Sequence, residues 1–136
     1  MNRVRKLSTI SVLAIHLVYG LLVALPIPAV AIDFTGSYDD PNHPNCLRLI
    51  SIPSDDGLAY VNGTDGNPGC PPDGSGLHWT LTGKIQGDTI LVDFSPKGGP
   101  RDLKGVWEPG PAPGIRWPDG NVWKKKGAME IHSIED

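Results

Sequence analysis

Beyond residue 31, prolines and glycines interrupt every window of this chain long enough to hold a helix. There are 17 glycines and 14 prolines among 136 residues, most of them after Ala31. Proline removes a backbone donor and clashes inside a helix, and glycine loses the most conformational freedom on ordering. Between these breakers lie short stretches rich in β-branched and aromatic residues, arriving at a regular pace. That alternation is the pattern of strands rather than of low-complexity disorder.

Eight strands are expected: 32–38, 47–52, 58–62, 77–84, 89–94, 103–107, 115–117 and 122–125. In the second, Leu47 and Leu49 share one face. In the fourth, Leu77, Trp79 and Leu81 oppose His78, Thr80 and Thr82. In the fifth, Ile90, Val92 and Phe94 align. Gly87 supplies the positive φ of a tight hairpin, and Pro118-Asp119-Gly120 marks another, which makes Trp117 and Trp123 cross-strand neighbours. The sequence therefore predicts a small all-β antiparallel meander, a closed or partly open barrel, with a two-sheet sandwich as the alternative.

Gly36-Ser37-Tyr38 near the start and Gly120-Asn121-Val122-Trp123 near the end resemble the opening and closing strands of small lipocalin- and avidin-type barrels. The resemblance covers those two segments and implies a barrel-like architecture. It carries over no ligand-binding residue.

The front of the chain reads as an export leader. Arg3, Arg5 and Lys6 precede an apolar run from Ile10 to Leu25, followed by Pro26, Pro28 and the small-residue end Ala29-Val30-Ala31. Residues 1–31 are expected to be a cleaved signal peptide, 32–126 a single β domain and 127–136 a flexible tail. The apolar run falls short of the roughly twenty residues a spanning helix needs, so no membrane span is expected after cleavage. The leader fits periplasmic, extracellular and thylakoid-lumenal destinations alike. Without it, 9 Lys+Arg face 15 Asp+Glu, a net charge of −6 with His neutral, which argues against nucleic acid as a partner. Cys46 and Cys70, 24 positions apart, pair in the only way two thiols can, and their spacing excludes a C-x-x-C redox site.

Four groups of residues are candidates for chemistry. Asp39, Asp40 and His43 could share a metal with a further ligand such as Asp73 or Asp93, although two flanking prolines also fit a rigid turn. The polar stretch from Asn62 to Gly76 invites calcium, but its spacing departs from the calcium-loop pattern and suits a disulfide-stapled turn better. Lys97 and Arg101 flank Gly98-Gly99, where free backbone N–H groups could receive an anion or an acidic partner. Trp79, Trp107, Trp117 and Trp123 could line a pocket or fill a core; Trp107 and Trp117 bracket a stiff Pro/Gly loop that could meet a partner.

No nucleophile elbow, zinc-protease motif, phosphate loop or cofactor fingerprint occurs. The expected function is that of an exported, non-enzymatic binding or accessory domain without a cofactor, docked on a larger extracytoplasmic or lumenal assembly. One alternative is a small-ligand barrel with a tryptophan-lined pocket. The other is a hydrolase assembled around Asp39, Asp40, His43 and Asp93.

Overall fold

The computed structural model describes residues 24–127. Most of the expected leader and tail lie outside them; residues 24–31 are exposed and carry no regular structure. Eight strands run β1 (Gly36–Asp39), β2 (Arg48–Ser51), β3 (Leu58–Asp65), β4 (Leu77–Gln86), β5 (Thr89–Val92), β6 (Leu103–Glu108), β7 (Gly114–Arg116) and β8 (Val122–Lys125). Each pairs antiparallel with the next, and β1 pairs with β8 through Tyr38 opposite Lys125 and Asp39 opposite Lys124. The sheet is therefore a closed barrel, and the sandwich alternative does not hold. The segments carrying the resemblance to small barrels form β1 and lead into β8, so they meet at the closing seam.

Closure follows from period-two patterning on the longer strands. Trp79, Leu81, Gly83 and Ile85 of β4 turn inward, as do Ile90 and Val92 of β5 and Ala59, Val61 and Gly63 of β3. Two glycines make room where large side chains cross the lumen. A Cβ on Gly63 would lie 2.1 Å from the Trp79 ring, its register partner, and one on Gly105 would lie 2.6 Å from the Ile115 side chain.

The strand 47–52 is turned over relative to expectation. Arg48 and Ile50 are buried inside the barrel, and Leu47 and Leu49 lie half-buried on the other face. Ile50 and Ile52 share the face of Arg48, so an apolar stripe exists on either reading; the partners that Arg48 finds inside decide between them. The expected first strand is shorter too. Phe34 leaves the ladder and plugs the base of the barrel, fully buried, with its ring edge-on to Trp107 at 5.3 Å. The buried Tyr38 hydroxyl donates to the Phe34 carbonyl at 2.6 Å and holds the plug in place. Burial pushes the Tyr38 phenol well up from its ordinary value.

The base is closed by Phe34 and the short loops after β2, β4 and β6. The opposite end is built from the four loops after β1, β3, β5 and β7. Two of these are joined by the Cys46–Cys70 disulfide, with Cα atoms 4.8 Å apart, and by Cys70 N–H donating to the Pro44 carbonyl at 3.0 Å. The β7–β8 connection, residues 117–121, turns through Pro118-Asp119-Gly120, with Gly120 at φ 87°.

Two outcomes follow for stability. Replacing both cysteines by alanine lowers unfolding stability by about 3 kcal/mol through the freed unfolded chain, read as a fall in the urea midpoint. Gly63→Ala drives the Trp79 ring from its seat and costs about 1–3 kcal/mol, with a changed near-ultraviolet dichroism as its signature.

Candidate functional site

Asp40 follows β1 directly and starts the turn into the first mouth loop. Its Oδ1 accepts the Asn42 N–H at 3.1 Å, and the His43 N–H donates to its carbonyl at 3.0 Å, so a short acidic side chain sets the turn. The carboxylate then points into the barrel. Oδ2 accepts from Arg48 Nε at 3.0 Å and from His43 Nδ1 at 2.9 Å, and Arg48 Nη2 stands at ion-pair distance from it, 3.0 Å. Oδ1 also accepts from Asn121 Nδ2 of the β7–β8 loop at 2.8 Å. Asp40 is 4 % exposed and Arg48 2 %.

Arg48 is satisfied on nearly every side. Its Nη1 donates to the Leu47 and Thr64 carbonyls at 2.8 and 2.7 Å, and its Nη2 lies 3.7 Å from Asp65 Oδ1. The guanidinium sits over the rings of Trp79 and Trp123, 5.2 and 5.3 Å from their centroids. Aromatic faces attract a cation, more strongly when it is desolvated. Burial alone would raise the Asp40 carboxyl; hydrogen bonds from Asn121 and His43 and the charge of Arg48 outweigh it and hold the group below the usual carboxylate range.

Thr64 locks the neighbouring loop. Its hydroxyl accepts the Leu47 N–H at 2.8 Å, donates to the Gly74 carbonyl at 2.8 Å and lies 3.5 Å from Cys70 Sγ. Across the mouth, the 3₁₀ turn Ser95–Lys97 in the β5–β6 loop aims Lys97 at Asp65, with which it forms an ion pair; its ammonium stands 4.2 Å from the Trp79 centroid. Burial works to raise the Asp65 carboxyl, but the Lys97 hydrogen bond, a neighbouring Trp79 indole and the Lys97 and Arg48 charges bring it below its ordinary value. The Trp79 N–H stands near that carboxylate without meeting hydrogen-bond geometry.

Between these loops opens a cavity of about 560 Å³. Trp79, Phe94, Leu103, Trp117 and Trp123 form its apolar wall, and Asp40, Arg48, Asp65, Lys97, His43 and Asn121 its polar side. Trp117 meets Trp123 at 4.9 Å and Phe94 at 5.9 Å, both edge-on. None of the lining residues carries a hydroxyl or thiol. The volume and the largely apolar lining with a few placed polar groups are those of a small-molecule site.

The chain matches no family model, no curated protein and no solved structure.

Of the residues singled out from sequence, Lys97, three of the four tryptophans (Trp79, Trp117 and Trp123), Asp40 and His43 reach the cavity. Gly98 and Gly99 do not, and the expected anion nest does not form: the Lys97, Gly98 and Gly99 N–H groups donate to Phe94, Ser95 and Phe94 carbonyls within their own turn. Arg101 is exposed and outside the lining. Trp107 lies at the base against Phe34. Asp40 and His43 do meet, but Asp39 points outward and pairs with Lys126 at 2.8 Å. Asp93 caps its own loop by accepting the Ser95 N–H at 2.9 Å, and Asp73 does the same for Ser75 at 3.0 Å. The four-residue hydrolase constellation is therefore not assembled, and no group of three or more metal-ligating side chains occurs among the described residues. Arg48, Asp65, Phe94 and Asn121 escaped the sequence reading. A single arginine within an apolar strand pattern was the one available signal for the first of them.

Arg48→Met leaves Asp40 buried without its cation and costs about 3–5 kcal/mol in chemical unfolding; adding Asp40→Asn recovers part of that loss. A carboxyl held below its unfolded value contributes stability above about pH 4, and the contribution drains away as pH falls through the folded value. In wild type, unfolding stability accordingly drops in acid, and in Asp40→Asn that slope is shallower by up to about one proton.

Proposed function

We propose that this chain is a non-enzymatic binding protein that holds a small, largely apolar ligand in the mouth of its barrel. The observation that carries this reading is the 560 Å³ cavity walled by three tryptophans, Phe94 and Leu103 and ringed by polar side chains already fixed in place. A preformed concave site of this kind suits a small molecule, whereas a flat exposed face would suit a protein partner. The rigidity of the rim supports it further. The disulfide, the Asp40–Asn121 hydrogen bond and the Lys97–Asp65 ion pair tie the four mouth loops in pairs, so little ordering remains to be done on binding.

The export leader expected from sequence and the Cys46–Cys70 bond support a working place outside the reducing compartment. Among the described residues no helix is long and apolar enough to cross a membrane. Lys97 and Trp117, put forward from sequence as binding residues, belong to this site, as do Trp79 and Trp123 of the four tryptophans; Phe94 and Leu103 complete the binding set.

Titration with 6-propionyl-2-(dimethylamino)naphthalene, an uncharged apolar fluorophore without a hydrogen-bond donor, gives a saturable rise in probe emission at one site per chain, with matching loss of tryptophan emission. Leu103→Trp, which puts a bulkier ring into the cavity wall, weakens the response while leaving far-ultraviolet dichroism intact. A wild-type titration without saturation, or an unchanged response in Leu103→Trp, refutes the reading.

A further inference from the structure

The hydrogen-bonding groups around the mouth are unequally engaged, and the imbalance bears on what the cavity accepts, given that the cavity is the binding site. Asp40 accepts four hydrogen bonds, two on each oxygen, which match the roughly four lone-pair directions of a carboxylate, and Arg48 Nη2 adds a close charge contact. It has nothing left to offer a ligand. Asp65 is paired with Lys97. The acceptors that remain, on Asn42, His43, Asp65, Asp119 and Asn121, belong to exposed or half-exposed side chains that water reaches, and none of them is buried without a partner. Donors are in surplus: the indole N–H groups of Trp79 and Trp117 are both buried without a hydrogen-bond partner, and only that of Trp79 has a carboxylate nearby. Trp117 is 5 % exposed and belongs to the cavity wall. A buried donor left unpaired is costly, and a ligand that supplies an acceptor removes that cost.

Charge and shape narrow the class further. Arg48 and Lys97 are neutralised by Asp40 and Asp65, so these four groups leave no net charge inside to attract an ion. The faces of Trp79 and Trp123 are covered by cationic heads, which leaves them unfit as open platforms for a sugar ring. Trp117 meets its aromatic neighbours edge-on. Ring edges carry the positive end of the aromatic quadrupole and favour a π face or an acceptor atom opposite them.

We infer that the cavity takes an uncharged, planar aromatic molecule bearing an acceptor oxygen and no donor, an aryl ketone or ester by class, with that oxygen answering the unpartnered Trp117 N–H.

Four naphthalenes of similar size test this on the disulfide-bonded protein by tryptophan quenching and calorimetry: 2-acetylnaphthalene, 2-isopropylnaphthalene, 2-naphthoate and 2-naphthylmethylammonium. The ketone binds roughly five- to tenfold more tightly than the isopropyl compound, although it is the less apolar of the two, and both ions bind more weakly still. In Trp117→Phe, verified as folded by dichroism, the ratio of ketone to isopropyl affinity falls to about one. Equal binding of ketone and isopropyl compound by wild type, or a preference for either ion, overturns the inference and leaves the cavity standing as a binding site. If none of the four binds, the inference and the binding site fall together.

Discussion

The structure depends on one buried ion pair. Carrying the Arg48 and Asp40 charges into a barrel costs several kcal/mol per ion unless each finds a full set of partners. Here each does: Arg48 has two carbonyls, a carboxylate and two aromatic faces, and Asp40 has donors from three different elements. Because those partners come from β2, β3, β4, β8 and the loops after β1 and β7, satisfying one charge fixes the relative placement of most of the mouth. The pair is a positioning device at least as much as a source of stability.

The two ends of the barrel are solved by different physics. At the base, Phe34, Trp107 and their neighbours exclude water by packing, and one buried phenol tethers the plug to the backbone. At the mouth the chain keeps an opening, and an open end cannot be held by packing alone. Loops there are tied to one another by a disulfide, by charged hydrogen bonds and by an ion pair across the opening. The hollow survives because its rim is cross-linked from several sides.

Much of the fold was legible in the sequence, because glycine, proline and two-residue alternation are local signals. All eight strands were placed, within a few residues at their ends, along with the Gly87 hairpin, the Trp117–Trp123 neighbourhood and the cysteine pair. The face of β2 was not legible. Leu47 and Leu49 offered an apolar stripe as good as Ile50 and Ile52, and the choice rests on Asp40, eight residues upstream, which alternation does not encode. The site was legible only in fragments for the same reason. Trp117 and Lys97 could be named, but Asp65, Phe94 and Asn121 acquire meaning only when strands far apart in sequence are brought round the same ring. The glycine pair after Lys97 misled because a free-looking backbone proved to be folded onto its own turn.

The Phe34 plug has a kinetic corollary. A barrel sealed at one end has a single doorway, so whatever enters must leave by the route it came, past the lysine that bridges the rim. For the ligand proposed above, the rim is then both entrance and exit, and the Lys97–Asp65 pair stands on that path.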